Sequence, residues 1–218
     1  MDVKKDRKSI ILDIGGRIGG VLYNFKADCK LVLADYFEPY LEYARNKNIE
    51  TINGGLEKID FKPDVIILSH VVEHWTNFER EIQNLIKIQI PNHTLTYLEF
   101  PGIDSLKKGR RDSDLLGDLY FPHVYYFTSY VLEDIMNRYG FEKLYIDSEI
   151  KAIFKYTGRK KNTVCNNFAR VKTDLEIAEK NRFKYTIQSI IRKNIPKLLI
   201  NLFRKIKKPR KPHEETND

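Results

Sequence analysis

The stretch that most constrains the fold is ILDIGGRIGG, residues 11–20. A short apolar run, IILDI (10–14), reads as a buried strand and ends on four glycines, Gly15, Gly16, Gly19 and Gly20. Glycine is placed where a backbone must turn sharply or lie close to another group. A second apolar run, LVLADY (31–36), carries Asp35, which lies 22 residues after Asp13. A carboxylate about 20 residues beyond a glycine loop is placed to accept hydrogen bonds from ribose hydroxyls. The pairing points to a nucleoside-containing cofactor. A nicotinamide fingerprint, G-x-G-x-x-G, fails in both registers, since its third position is Arg17 counted from Gly15 and Ile18 counted from Gly16. No G-K-[ST] follows to mark a phosphate loop.

The rest of the chain alternates strand and helix signals. A helix is predicted from about Gly20 to Lys26. FEPYLEYARNKN (37–48) follows with Pro39 in its first turn and Leu41, Ala44 and Arg45 at helical spacing. IETING (49–54) and DVIILSH (64–70) read as the third and fourth strands, and TLTYLEFPG (94–102) as the fifth. Between the last two, Phe78, Ile82, Leu85 and Ile86 share one face of a helix over 78–89. Residues 103–122 are polar, include GRRDSD, and are expected to be irregular. A helix within 125–141 has Thr128 or Ser129 as N-cap and Gly140 as C-cap. EKLYIDSE and KAIFKYTG look like an antiparallel edge pair. Strands alternating with helices imply βαβ units. The expected fold is α/β: a Rossmann-like, doubly wound, mostly parallel seven-stranded sheet with a C-terminal basic amphipathic helical tail.

That tail explains the net charge of +8. Residues 180–213 hold twelve Lys or Arg and no acid, the last five residues hold three acids, and residues 1–179 are left with 26 basic against 27 acidic residues. Phe183, Ile187, Ile190 and Ile191 share one helical face, and Leu199, Leu202, Phe203 and Ile206 another after Pro196, interleaved with basic residues. The expected organisation is a body over 1–160, a basic amphipathic extension over 161–208 and a disordered tail over 209–218. No apolar run approaches the roughly 18 residues of a membrane span. The N-terminal run is too short for a signal-peptide core. Cys29 and Cys165 form no metal or disulfide pattern and read as thiols in a reducing cytosol, with no metal expected.

Several strings, in order, resemble class I S-adenosylmethionine-dependent methyltransferases. LDIGGRIGG is similar to the family's D-x-G-x-G-x-G motif, with Arg17 in place of the middle glycine. LADYFEPYLEYAR resembles its acid-tipped second strand and the helix opening with proline. DVIILSHVVEHWTNFEREIQNLIK resembles the fourth-strand region with its "EH" pair. LEFPG resembles the fifth strand, and FPHVYYFTSYVLEDIMNRYGFE the H-x-h-F-[ST] run of a small-molecule and sugar-modifying branch. Together they cover roughly residues 9–147. The resemblance implies that Asp13, Gly15, Gly16 and Gly19 surround the methionine and ribose part of S-adenosylmethionine. It implies that Asp35, with Tyr36 beside it, holds the ribose hydroxyls and that Gly55 and Leu56 border the adenine. Ser69 and His70 would line the cofactor floor near the sulfonium. Gly54 and Gly55 stand where many members carry an acid, leaving adenine to backbone contacts.

Methyl transfer to an oxygen needs alignment, and a base where a hydroxyl must lose its proton. Histidine suits that near neutral pH. His74, oriented by Glu73, and His123, in the segment expected to cover the pocket, are the candidate catalytic residues; a helix-start cap and a turn residue are their plainer roles. Tyr120, Tyr125 and Tyr126 either stack on a sugar or fill the core. Arg110 and Arg111 either clamp an anionic acceptor or are solvated. The expected activity is methylation of a sugar or other small hydroxyl acceptor in cell-surface glycan biosynthesis, in the cytoplasm, with the tail at the inner face of the membrane. The alternatives are an RNA or DNA methyltransferase gripping through the tail, and an inactive methyltransferase-fold scaffold. A neutral body and the lack of an N-P-P-[YF] string weigh against nucleic acid.

Overall fold

The computed structural model describes residues 8–25, 28–161 and 166–194. The chain runs through β1 (Ile10–Ile14), β2 (Lys30–Asp35), α1 (Glu38–Arg45), β3 (Glu50–Asn53), β4 (Val65–Ser69), α2 (Phe78–Lys87) and β5 (Leu95–Glu99). It continues through α3 (Leu115–Asp118), α4 (Ser129–Arg138), β6 (Phe141–Ile146), β7 (Lys151–Tyr156) and α5 (Phe168–Asn194). The seven strands form one sheet in the order β3-β2-β1-β4-β5-β7-β6. The first five are parallel, and β7 and β6 close the sheet as the expected antiparallel pair. The strand order reverses between β1 and β4, and a ligand crevice opens at such a switch point beyond the carboxyl ends of the strands. The register sets those ends level: Ile14 pairs with Ala34 on one side and Leu68 on the other.

Side-chain alternation sends each strand's apolar residues to two cores. Leu12, Ile66, Leu98 and Phe154 pack on one face beneath Ile82 and Leu85 of α2 and Leu132 and Met136 of α4. Ile11, Leu33 and Ile67 pack on the other beneath Leu22, Leu41 and Ala44. Each such fully buried aliphatic side chain contributes about 1.5–3 kcal/mol. Both α2 and α4 are capped by a side chain, α4 by Thr128, one of the two caps the sequence offers. Asn77 Oδ1 accepts the Arg80 N–H at 3.0 Å, and Thr128 Oγ1 accepts the Val131 N–H at 3.3 Å.

The helix predicted from about Gly20 to Lys26 does not form over its described part, residues 20–25. Its place holds turns over 17–21 and one 3-10 turn, Leu22–Asn24. The left-handed backbone of Gly19 (φ 78°) and the poor helix propensity of the Gly19–Gly20 pair stop an α-helix from starting. A short turn covers less sheet than a helix, and Val21, Phe25, Val65, Tyr97 and Ile153 line a shallow apolar hollow there.

Residues 103–122 are less irregular than expected. Two 3-10 helices, Ile103–Lys108 and Arg110–Ser113, precede α3. Arg110, read in the sequence as a candidate anion clamp, is engaged within the fold. Its Nη1 and Nη2 donate to the two carboxylate oxygens of Asp118 at 2.5 and 2.7 Å, and Nη2 also donates to Gly102 O at 2.8 Å. Arg111 is exposed, with Nε 3.9 Å from Asp118. The extension predicted from residue 161 becomes helical at Phe168. It packs along 103–113, tied by Lys107 to Asp174 at 2.7 Å and by Arg170 stacked 3.7 Å over the Tyr130 ring. Phe183, Ile187, Ile190 and Ile191 face solvent on its far end. Cys165, the second amphipathic segment and the tail lie outside the described residues. No helix among the described residues is long and apolar enough to cross a membrane.

Candidate active site

Two adjoining hollows open at the carboxyl ends of β1, β2, β3 and β4, with volumes of about 360 and 470 Å³. They share Gly15, His70 and His74, and so form one cleft with two arms. Such volumes suit small organic ligands. The first arm is lined by Asp35, Tyr36, Gly55 and Leu56, and the second by Asp13, Gly16, Ser69 and His123. The cleft therefore gathers every cofactor-binding and catalytic residue the sequence suggested except one; of the candidate acceptor contacts it takes in Tyr120 but not Tyr125, Tyr126, Arg110 or Arg111. Gly19 is buried beside Ile49 rather than on the cleft wall; a Cβ there would lie 2.9 Å from Ile49 Cδ1. Its role is to turn the loop, not to line it.

Backbone builds the first arm. Gly15 (φ 66°) donates its N–H to Ala34 O at 2.7 Å, so the loop leaves the sheet hugging β2. Asp35 then clamps the loop: Oδ2 accepts the Arg17 N–H at 3.0 Å and Oδ1 accepts the Phe37 N–H at 2.9 Å. Each carboxylate oxygen has a second lone pair for a further donor. The Arg17 side chain is exposed and its backbone is left-handed (φ 54°), the geometry glycine adopts without strain. Tyr36 is held over Gly55 by Glu57, whose two oxygens each lie 3.1 Å from the tyrosine hydroxyl. Trp75, Thr76, Arg80 and Glu81, which no sequence signal singled out, complete this arm from the β4–α2 connection.

Asp13 lies beneath the loop. It is fully buried, and neither carboxylate oxygen has a hydrogen-bond partner among the described residues. Burial, helped by the negative charge of Asp35, raises its pKa from 3.8 to about 7. Only glycine fits above it, because a Cβ on Gly16 would fall 2.2 Å from Asp13 Oδ2. An unpartnered buried carboxyl group is costly and awaits a donor or cation.

Imidazoles build the second arm. His70, at the tip of β4, takes a left-handed backbone (φ 56°) and sets Nδ1 3.2 Å from Glu73 Oε1. His74 is oriented mainly by a backbone carbonyl rather than by Glu73: Nδ1 lies 3.0 Å from Pro122 O, while Nε2 is 4.0 Å from Glu73 Oε1. Since a carbonyl only accepts, Nδ1 carries the proton and the neutral ring keeps an open lone pair on Nε2. His123 packs edge-on against His74, with ring centroids 4.9 Å apart. Desolvation, together with the nearby His74 and His70, holds its pKa below the ordinary imidazole value against the pull of Glu73 and Asp118. The wall is braced by Glu73, whose backbone O accepts the N–H groups of Val124 and Tyr125 at 2.8 and 3.2 Å. Tyr125 packs inward on Phe78, centroid to centroid 5.8 Å, while the exposed Tyr120 lines the cleft beside His123, with ring centroids 5.1 Å apart.

Residues 3–146 match a family model described as a methyltransferase domain. None of the curated proteins matches the chain. Among solved structures, it resembles the plantazolicin methyltransferase BpumL in complex with SAH (18% identity, TM-score 0.50, covering 85% of this chain and 73% of that one). It also resembles LepI in complex with SAM (15%, TM-score 0.54, 72% and 45%) and the mitomycin 7-O-methyltransferase MmcR (16%, TM-score 0.51, 69% and 49%). The chain thus spans about half the length of the latter two. At these identities the likeness is one of fold.

Proposed function

From the premise that this chain belongs to the class I S-adenosylmethionine-dependent methyltransferases, we propose that it O-methylates a sugar or another small hydroxyl acceptor at the cleft between β1 and β4. S-adenosylmethionine, when bound, supplies a methyl group activated by a sulfonium. The residues present fit such a cofactor. The observation that carries the reading is the buried Asp13 carboxyl with no hydrogen-bond partner among the described residues, under a glycine loop at the switch point. A ligand carrying an ammonium or sulfonium gives that carboxyl the countercharge the fold withholds. Asp35 offers its remaining lone pairs to ribose hydroxyls. Gly55, Leu56 and Tyr36 border the base, Gly15 and Gly16 let the backbone approach, and Ser69 and His70 form the floor.

His74 and His123 are the catalytic residues of this reading. Their rings face the second arm, where an acceptor enters past Tyr120. The acceptor's hydroxyl proton is removed against this pair, helped by the lone pair left on His74 Nε2. The exposed Tyr120 ring suits the apolar face of a sugar or a comparable ring. The basic C-terminal segment fits a place at an anionic membrane surface, where each Lys or Arg contributes about 1 kcal/mol.

The test is incubation of the protein with S-adenosylmethionine and a panel of sugar nucleotides, free sugars and phenols. The reading expects one acceptor to gain the mass of one methylene, and product NMR to place the methyl on oxygen. Methylation confined to amines, or to RNA or DNA, would replace it.

A further inference from the structure

Glu73 is the buried residue that cofactor binding leaves unexplained. Its side chain is almost fully buried, yet Oε2 has no hydrogen-bond partner among the described residues. One ligand atom each from Glu73, His74 and His123 fall within 4.8 Å of one another. We propose that these three side chains form a binding site for a divalent transition metal ion of the zinc class, in the acceptor arm of the cleft.

Four observations support the site independently of the methyltransferase reading. The donor set, two imidazoles and one carboxylate, is one that catalytic zinc uses, with a position left open for an oxygen ligand. His74 is set up as metal-binding histidines are. One ring nitrogen donates to a backbone carbonyl, Pro122 O at 3.0 Å, and the other presents a lone pair toward Glu73. Oε1 is the Glu73 oxygen set toward His74 Nε2, at 4.0 Å, and the unpartnered Oε2 leaves the same carboxylate short of a countercharge that a cation would supply. The elements are pinned together, since Val124 and Tyr125 donate their N–H groups to the Glu73 carbonyl and so hold the His123 segment against the Glu73–His74 turn. Donors about 2.0–2.2 Å from a tetrahedral ion lie about 3.5 Å apart, so the three must close by roughly an ångström. Rotation of the two partly exposed rings supplies that movement. His70, with Nδ1 3.2 Å from Glu73 Oε1, orients the carboxylate from behind.

An ion there faces the same space as the acceptor. It would take a hydroxyl oxygen as its open ligand and lower that hydroxyl's pKa; with the His74 Nε2 lone pair on the ion, the metal replaces that lone pair in activating the hydroxyl, and the proton leaves to solvent at the cleft mouth. This role in catalysis rests on the proposed function; the binding of the metal does not.

The test uses the full chain after chelator treatment, titrated with Zn²⁺ by calorimetry and with Co²⁺ by visible absorption. The expected result is one equivalent of Zn²⁺ and Co²⁺ ligand-field bands characteristic of fewer than six ligands. Glu73→Gln and His123→Ala should each weaken binding at least about 100-fold, as loss of a direct ligand should exceed the effect of losing its supporting partner. S-adenosylhomocysteine binding, measured on the same samples, should persist in both variants. If Glu73→Gln does not fold, His123→Ala decides, because His123 is partly exposed. No stoichiometric Zn²⁺ binding, or binding unchanged in His123→Ala, overturns the metal site even where S-adenosylhomocysteine binds. Metal binding without S-adenosylhomocysteine binding instead overturns the cofactor reading and leaves the site standing.

Discussion

The glycine-loop side of the cleft and its histidine side are made of different materials. Around Asp13, Gly16 and Asp35 the walls are backbone and carboxyl, locked by hydrogen bonds of 2.7–3.0 Å to the end of β2. Around His74 and His123 the walls are imidazoles and the exposed Tyr120 ring, carried on a 3-10 turn and on the segment after α3. A side of backbone and glycine accepts one shape, and an atom added at Gly15 or Gly16 collides. A side of side chains on connecting segments can be rebuilt around another acceptor while the loop is kept. The division teaches where each kind of substitution should act: on the glycine-loop side on binding, on the histidine side on turnover.

The sharpest way to break that division is His74→Ala or His123→Ala. Each should lower turnover by about 100- to 10,000-fold, the usual contribution of a positioned proton-transfer group. S-adenosylhomocysteine affinity should change less than about threefold. Equal losses in both quantities would mean that the two sides are one site.

Gly16→Ala probes the glycine-loop side. Its Cβ would sit 2.2 Å from Asp13 Oδ2, so the loop must lift. Thermal denaturation should register a loss of about 1–3 kcal/mol. Calorimetry should find cofactor affinity reduced beyond detection, and unaltered affinity would show that the loop does not touch the ligand.

Asp13 gives a pH signature. Its folded pKa, about 7, lies above the 3.8 of an unperturbed carboxyl, so the folded chain binds the proton more tightly. The group's contribution to stability is therefore complete below about pH 4 and is lost as pH rises toward 7. Asp13→Asn should flatten that slope and stabilise the free protein at alkaline pH, by a few kcal/mol at most. A cationic ligand should drive the proton off, so binding below pH 7 should release protons, read as a dependence of the calorimetric heat on the buffer's ionisation enthalpy. A heat independent of buffer would place the ligand's charge away from Asp13.

Arg17→Gly is the smallest expected effect. Relief of the left-handed strain and the added freedom of the unfolded chain are each about 1 kcal/mol and oppose each other. Cofactor affinity should stay within about twofold, and a tenfold gain would show that the arginine obstructs the loop.

The glycine-loop side was legible in the sequence because its signals are local. A glycine loop after an apolar run, and a carboxylate at the next strand end, fix backbone geometry within some 20 residues. Even there the helix predicted from about Gly20 to Lys26 failed over its described part, since two adjacent glycines outweighed the pattern. The histidine side was legible only as residue types. That His74 is held by Pro122 O, 48 residues on, and that Arg110 is spent on Asp118, are tertiary facts with no periodicity to announce them. The unpartnered oxygen of Glu73 is likewise invisible until burial is known.

The most direct test of the central claim, that the β1–β4 crevice is built for S-adenosylmethionine, is calorimetric titration of the wild-type chain and of Asp35→Ala with S-adenosylhomocysteine. The account predicts one site of micromolar affinity in the wild type. In the variant it predicts about 10- to 100-fold weaker binding, the cost of losing hydrogen bonds to a charged group. No binding to the wild type, or equal binding to both, would contradict it.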